Sequence, residues 1–315
     1  MTSLEERQML RDTVAALVDK HASSAAVRAA MDSPLGYDES LWSMLCEQVG
    51  VAALVVPEEL GGAGGELADA AAVLEELGRA LVPTPLLGTT LAELALLAAD
   101  QPDTEALEQL AAGAAIGAVV FDRDYVVNGD IADVVVAVDG ARLMRWNDVT
   151  AETATTVDPT RRLARVTAGS AEPIGTDPGL ADTAAILLAA EQVGAAARCL
   201  DLTVAYTKER VQFGRPIGSF QALKHRMADL YVAVQSARAV VGEAIGAPTP
   251  AAAALARLAA SEAFTTVAGE AIQLHGGIAI TWEHDIQLYF KRAHGSAQLF
   301  GPPSDQLRKL ESEVF

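Results

Sequence analysis

The spacing of apolar residues changes twice along the chain, and this limits the possible folds more than any other feature. From residue 1 to about 113, apolar residues recur three and four apart with charges between them, which is typical of amphipathic helices. From 114 to 176 the apolar stretches are short and β-branched, and Asn-Gly and Asp-Gly pairs separate them, which indicates strands and tight turns. Helical spacing then returns. The sequence predicts a mainly α fold with an N-terminal α-helical domain (1–113), a small β domain (114–176) and a C-terminal helical bundle (177–315).

The β domain is predicted to depend on the helices around it. Residues 134–146 are expected to form a hairpin that turns at Asp139-Gly140. About sixty residues are too few for a confident stand-alone core, so the domain is expected to pack on the helical zones. A flat cofactor would fit between such a domain and a helical bundle.

Several helix ends are marked by local chemistry. Thr249 before Pro250 predicts an N-cap, and Gly276-Gly277 ends the same helix. Either Asp38 or Ser40 is expected to cap the helix that holds Trp42. Another helix is expected to begin near Asp285. The last helix is predicted to begin after Pro303, with Ser304 or Asp305 as its cap.

The net charge limits the possible partners. The chain has 315 residues and a formal charge of -19, which argues against nucleic acid and anionic membranes because both would be repelled. The chain has no uninterrupted run of about 18 apolar residues, so no membrane span is predicted. The first residues also lack the apolar core of a signal peptide. A cytoplasmic location with two reduced cysteines, Cys46 and Cys199, is expected.

One motif runs against this acidic composition. KERVQFGRPIGSFQALKHR, at 208–226, contains five basic residues and one acidic residue. Arg210 and Gln212 carry planar donors suited to phosphate oxygens, Phe213 offers a face for stacking, and Gly214 allows close backbone approach. The alternative is a turn between two helices whose arginines are merely solvated.

A second motif, EAIQLHGGIAITWEHDIQLYFKRA, covers 270–293. Gly276 and Gly277 are expected to expose backbone N–H groups to an anion or another chain. Glu283, between aromatic residues, is a candidate base whose pKa apolar surroundings would raise. The alternative for Glu283 is an ordinary helix N-terminus. The five histidines lack the spacing of a metal site.

Together these motifs resemble the acyl-CoA dehydrogenase family, and the resemblance runs the length of the chain. It implies an N-terminal helical domain, a small β domain and a C-terminal four-helix bundle. It also implies α,β-dehydrogenation of acyl-CoA thioesters, in which a carboxylate removes the α-proton and FAD accepts the β-hydrogen as hydride. In the family, the two motifs of one subunit hold the ADP half of the FAD bound to its neighbour. The residues implied here as cofactor-binding are Arg210, Gln212, Phe213, Gly214, Gln273, Gly276 and Gly277, and Glu283 lies in the usual place of the catalytic base.

The chain departs from the family in two places. Nothing between 114 and 176 matches the Thr-x-Pro-x-x-Gly-Ser-Asp stretch that contacts the flavin ring, so the β domain is expected to be reduced. Ala185 stands where typical members carry an arginine. In these respects the chain is similar to the short subunits of heterotetrameric (α2β2) acyl-CoA dehydrogenases that act on steroid side-chain CoA esters.

The resemblance leaves two functions open. The first is an FAD-dependent acyl-CoA dehydrogenase subunit that works with a longer paralogue, or with copies of itself, and passes electrons to an acceptor flavoprotein. The second is a non-catalytic subunit that clamps the ADP part of FAD and stabilises a catalytic paralogue. The sequence does not identify the acyl group.

Overall fold

The computed structural model describes residues 3–314, and helices dominate it, as predicted. The longest three helices belong to the C-terminal part, where they pack side by side. The helices are α1 (Leu4–His21), α2 (Ser24–Met31), α3 (Glu39–Met44), α4 (Leu67–Arg79), α5 (Leu86–Leu97), α6 (Thr104–Ala111), α7 (Leu180–Glu209), α8 (Gln221–Gly246), α9 (Pro250–His275), α10 (Ile286–Gln298) and α11 (Pro303–Val314).

The β domain consists of two small sheets. One has the strand order β1-β3-β4-β7, with β1 and β3 parallel and the other pairs antiparallel; the other sheet is antiparallel, in the order β2-β6-β5. The strands are β1 (Gly117–Val120), β2 (Val126–Val127), β3 (Val134–Asp139), β4 (Arg142–Asn147), β5 (Thr150–Thr153), β6 (Leu163–Thr167) and β7 (Ser170–Thr176). All seven lie between α6 and α7, and the exact domain division stays a prediction.

Strand β3 shows why the β domain needs the helices. Val134 and Val136 join the large core that the helices share, whereas Val135 and Ala137 join a smaller cluster formed by residues of both sheets. Successive side chains of a strand point to opposite faces, so both faces of β3 are buried. The β domain is therefore packed on the helical zones, as the sequence predicts.

The predicted hairpin is present with a shift of one residue. Strands β3 and β4 pair antiparallel up to Asp139 and Arg142, so the loop is Gly140 and Ala141 rather than Asp139-Gly140. Gly140 has a φ of 59°, a left-handed conformation that glycine adopts at little cost.

Most predicted helix ends are also present. The Asp38 side chain accepts hydrogen bonds from the backbone N–H groups of Ser40 and Leu41, and Thr249 caps α9. The prediction for the last helix is wrong: α11 begins at Pro303, so Ser304 and Asp305 lie inside its first turn. Proline favours this first helical position because its fixed φ suits the helix and its missing N–H is not needed there.

Helix α7 packs against α4, and two glycines allow the two helices to come close. A Cβ atom on Gly194 would overlap the backbone oxygen of Glu75, and one on Gly78 would overlap that of Glu191. The two helices therefore cross in backbone contact. Within the described chain, α7 alone has the length and apolar composition to cross a membrane, but 83% of its most apolar window is buried inside the protein.

Candidate functional site

The first motif forms a short exposed hairpin at the end of α7. Strands β8 (Val211–Gln212) and β9 (Arg215–Pro216) are joined by Phe213 and Gly214, whose φ angles of 55° and 76° are those a type I′ turn requires. Left-handed backbone is costly for a bulky residue, and the Phe213 side chain is 91% exposed. The turn thus holds the Phe213 ring in solvent, although its left-handed backbone and its exposure are both unfavourable.

The cationic groups around this hairpin differ in whether they are available to a ligand. Arg210 and Gln212 are exposed, and Arg210 has no ion-pair partner among residues 3–314. Arg215 is instead occupied locally, because its guanidinium lies 4.0 Å from the centroid of the Phe220 ring. Phe220 in turn contacts the Phe213 ring edge to face at 6.1 Å between centroids. The hairpin is therefore braced at its base and open at its tip.

The second motif provides an open glycine turn. Helix α9 ends at His275, and Gly276, with a φ of 66°, begins a 3₁₀ turn that extends to Ile280. Gly276 and Gly277 are exposed, and a Cβ atom at either position would meet nothing within 4 Å. Gln273 is exposed one turn earlier. The Gly276 N–H donates to the backbone oxygen of Ile272, so it is not free for an anion as the sequence predicted, and the exposed Gly277 is the part of this backbone that an anion or another chain can reach.

The structure brings the two motifs together through residues that the sequence did not single out. The Tyr206 hydroxyl donates to the backbone oxygen of His275 at 3.2 Å, and their rings stack at 4.2 Å between centroids. His275 Nδ1 lies 2.8 Å from the backbone oxygen of Ala271, to which it donates, and its ring meets the edge of His284. Burial lowers the pKa of His275, which favours the neutral ring. The one sequence signal for this contact between the motifs is that Tyr206 and His275 are both aromatic.

Glu283 is not enclosed within this chain. Its side chain is exposed on the loop before α10. The neighbouring Trp282 ring is itself 54% exposed, and the cations of Arg28 and Lys291 lie 5.7 and 4.6 Å from its centroid. Asp285 ties the loop to α2, since it pairs with Arg28 at 2.9 Å. The apolar surroundings expected for a catalytic carboxylate are missing from this chain on its own.

A second group of arginines lies buried where the β domain meets α7 and α10. Arg292 contacts Glu191 at 2.7 Å and Asp158 at 2.9 Å, and Arg161 also bonds Glu191. Thr160 accepts from Arg292 with its hydroxyl and its backbone oxygen, both at 2.8 Å. We call these five residues the junction network.

The junction network balances its charges internally. Two arginines face two carboxylates, all four of them buried. Burial by itself would raise the pKa of Glu191, but the attraction of Arg161 and Arg292 outweighs it, so that this pKa is lowered. The carboxylate is therefore ionised and committed to its partners.

Little space remains beside the network. The cavity lined by Thr160, Arg161, Glu191 and Arg292 has a volume of about 20 Å³. One water molecule needs about half of that, whereas pockets for small organic ligands hold hundreds of Å³. The space at this junction is therefore too small for a flavin ring.

Comparison with known families agrees with this architecture. Residues 4–114 match the N-terminal domain of acyl-CoA dehydrogenases, and residues 180–310 match the C-terminal domain. The chain belongs to the acyl-CoA dehydrogenase family. The predicted fold class is confirmed. Members are oxidoreductases that depend on FAD.

Individual relatives show how far the similarity extends. The chain is 72% identical to acyl-CoA dehydrogenase IpdE2 of Mycobacterium tuberculosis, over all of this chain and 99% of that protein. Among solved structures, it is similar to a variant of the steroid acyl-CoA dehydrogenase Tcur3481-Tcur3483, with a TM-score of 0.88 and 27% identity over 98% of both chains. It is equally similar to the ChsE4-ChsE5 complex of Mycobacterium tuberculosis, with a TM-score of 0.88 and 25% identity, over 99% of this chain and 98% of that one.

Among residues 3–314, no group of three or more His, Cys, Asp or Glu side chains is arranged to hold a metal ion. His275 and His284 are close, but they meet ring to ring rather than through converging nitrogen atoms.

Proposed function

We propose that this chain is one subunit of a hetero-oligomeric acyl-CoA dehydrogenase, in which it grips the ADP half of FAD. The observation that carries this is the convergence of the two motifs at one exposed, cationic end of the bundle. In a chain of charge -19, unpaired cations beside an exposed glycine turn favour an anionic ligand. A dinucleotide diphosphate is such a ligand.

Each residue of this end has a separate task in the proposal. Arg210 and Gln212 donate to diphosphate oxygens, and the Phe213 ring offers a stacking face to the adenine. Gly276 and Gly277 let the ligand approach the backbone, with Gln273 and Gly214 beside them. The Tyr206–His275 contact keeps the two halves in register. We call this end the ADP clamp.

The reaction is α,β-dehydrogenation of an acyl-CoA thioester. FAD, when bound, accepts the hydride. The protein supplies a carboxylate that takes the α-proton, and Glu283 occupies the family's place for that residue. Its exposure in the isolated chain means that a partner would have to cover the Glu283 loop before it could act as a base near neutrality.

The expected partner is a longer acyl-CoA dehydrogenase paralogue, in an α2β2 assembly, rather than a second copy of this chain. Support comes from two similar solved structures, the steroid acyl-CoA dehydrogenase Tcur3481-Tcur3483 and the ChsE4-ChsE5 complex, each named as a pair of proteins. From the first of these structures we also propose a steroid-derived acyl-CoA as substrate class. We propose an electron-acceptor flavoprotein as oxidant from the family resemblance, and a cytoplasmic location from the sequence composition.

A second function remains, and two observations favour it. The junction of this chain is filled and Glu283 is exposed, as expected of a non-catalytic subunit that clamps FAD for a catalytic paralogue. The opposite case is a catalytically complete homo-oligomer, in which Glu283 of this chain is the base.

Glu283→Gln in the co-expressed complex separates these cases. If Glu283 is the working base, turnover with acyl-CoA should fall by at least about 100-fold while FAD content stays the same. If the partner supplies the base, turnover should stay within about twofold. Loss of FAD from the variant would instead contradict the assignment of Glu283 to proton transfer.

A further inference from the structure

Helix α5 carries a single charged residue, Glu93, and its side chain is 0% exposed. Both carboxylate oxygens of Glu93 are buried, and neither has a hydrogen-bond partner among residues 3–314. A buried polar group in this situation has lost its hydrogen bonds to water and gained none within the protein, so its presence needs an explanation. Neither the ADP clamp nor the junction network includes Glu93.

Glu191 shows what a buried carboxylate needs in order to stay ionised. It is 6% exposed, and the guanidinium groups of Arg161 and Arg292 bond it, so its pKa is lowered. Glu93 has the same side chain and at least the same burial. No cation of the described chain offsets that burial, which alone raises the pKa of Glu93 well above its usual value. A carboxyl group without a partner takes up a proton rather than remain buried as an anion.

The segments packed against α5 supply charges that are committed elsewhere or lie in solvent. These segments are β1, β3, α4, α6, α7 and the 3₁₀ turn Val51–Ala53. Their charged residues that are paired with other side chains are Asp69, Glu75, Glu76, Arg79, Asp182 and Glu191. Their charged residues that are exposed are Glu105, Glu108, Asp139, Arg198, Asp201, Lys208 and Glu209. Water and salt screen the exposed charges from the interior.

The uncharged titratable groups near α5 do not stabilise an anion either. Cys46, on the segment Leu45–Val49, is the thiol on which Glu93 acts: burial raises the pKa of Cys46 to about 12, and Glu93 adds to the rise. This thiol therefore keeps its own proton near neutrality. On α7, Cys199 belongs to a different core cluster and Tyr206 to the ADP clamp.

We propose that Glu93 retains a proton in the folded chain and makes the packing of α5 sensitive to pH. Helix α5 contacts β1, β3 and α7, so it lies where the N-terminal helices, the β domain and the bundle meet. An ionised carboxylate cannot remain there without a partner, and release of the proton loosens this meeting point. The proposal is independent of the proposed function, because it involves no residue of the clamp.

The direction of the pH dependence follows from the two states of the carboxyl group. Unfolding exposes Glu93 to water, where glutamate has a pKa of about 4.3. Above that pH, unfolding releases the proton that the folded chain holds. The stabilising effect of this proton is complete below about pH 4 and is lost as the pH rises through the raised pKa of the folded carboxyl. Over that range the unfolding constant should rise about tenfold for each pH unit.

Equilibrium unfolding of the full-length chain in urea tests the proposal. The wild-type chain is compared with Glu93→Gln, which keeps the shape of the side chain but has no proton to release. The range from about pH 5.5 to 7.5 avoids the titration of unfolded carboxyls and thiols, and the histidine contributions cancel because both chains contain the same histidines. We expect the unfolding constant of the wild type, divided by that of the variant, to increase about tenfold per pH unit.

A ratio that increases by less than about tenfold over the whole range would overturn the proposal, because Glu93 would then be ionised in the folded chain as well. Glu105→Gln is the matched control. It makes the same substitution at an exposed position of α6, and it should follow the wild type at every pH. If Glu93→Gln does not fold, Glu93→Met gives the same comparison, since an unbranched apolar side chain adapts to a core position.

Infrared difference spectroscopy detects the proton itself. A protonated carboxyl group and a carboxylate absorb at different frequencies, and exposed carboxyl groups are ionised at about pH 7. We expect a protonated-carboxyl band at this pH in the wild type and in Glu105→Gln, and its loss in Glu93→Gln or Glu93→Met. A wild-type spectrum without such a band, or a band that survives both substitutions of Glu93, would contradict the assignment of the proton to this residue.

Discussion

The ADP clamp and the junction network are both built around arginines, yet the molecule treats the two sets in opposite ways. At the clamp, Arg210 is exposed and has no carboxylate partner within the described chain. At the junction, Arg161 and Arg292 are buried, and they share Glu191. The type of residue is the same, but the surroundings differ completely.

The difference shows how pairing separates a binding role from a structural one. A cation that is already paired with a carboxylate gains little by binding an anionic ligand, and burial prevents the ligand from reaching it. A solvated cation without a carboxylate partner can attract an anionic ligand. Its positive field is local, because the rest of the chain is acidic. The position of the nearest carboxylate therefore indicates the role of each arginine better than the residue type does.

The largest expected effect concerns the junction. Glu191→Gln keeps the shape of the side chain but leaves two buried arginines facing Asp158 alone. Removing one member of a buried ion network typically costs about 3–5 kcal/mol, so we expect a loss of that size in the free energy of unfolding. Chemical denaturation monitored by far-UV circular dichroism measures it.

A matched control is an ion pair in solvent. Arg165 and Asp124 pair at 2.6 Å, but both side chains are more than half exposed, so Asp124→Asn should cost less than about 1 kcal/mol. Equal losses for the two variants would mean that the junction network contributes no more than a surface pair, and the contrast between the two regions would disappear.

The next effect concerns the clamp. Arg210→Ala removes a charge-assisted donor to a phosphate, an interaction of about 1.5–3 kcal/mol, so FAD retention by the assembled enzyme should weaken about 10- to 100-fold. Stability should hardly change, because the side chain is exposed. Dialysis followed by absorbance of the remaining flavin measures retention.

An exposed arginine elsewhere provides the comparison. Arg142 lies at the start of β4, in the β domain. Arg142→Ala should leave FAD retention unchanged. Unaltered retention in Arg210→Ala would refute the assignment of this residue to the diphosphate.

The smallest effect concerns the contact that joins the two halves of the clamp. Tyr206→Phe removes one hydrogen bond, at 3.2 Å, but keeps the stacking on His275. A single neutral hydrogen bond contributes about 0.5–1.5 kcal/mol. We expect FAD affinity to fall about threefold; an increase would contradict the role of Tyr206 in holding the halves together.

Sequence alone was sufficient for most features whose decisive contacts are local, although it placed the β3–β4 turn one residue early and the cap of α11 wrongly. The N-cap residues Asp38 and Thr249 bond N–H groups two or three residues away, and the β3–β4 turn depends on the conformation of Gly140. Such features depend on a few neighbouring residues, so their spacing in the sequence is enough to predict them.

Sequence reasoning failed where the contacts are distant. Arg292 lies 101 residues from Glu191 and 132 from Thr160, and nothing near any of them in sequence announces the junction network. The Tyr206–His275 contact spans 69 residues. Burial also depends on the whole fold, so the sequence could not decide between the two roles that it left open for Glu283.

A flavin count on the complex with a longer acyl-CoA dehydrogenase tests the shared clamp most directly. The two chains are co-expressed and purified together, and FAD is measured against the amount of each chain. We expect a yellow complex with one FAD per pair of unlike chains, and a colourless protein when this chain is purified alone. One FAD for every chain, or a yellow protein that is reduced by acyl-CoA without a partner, would contradict the account.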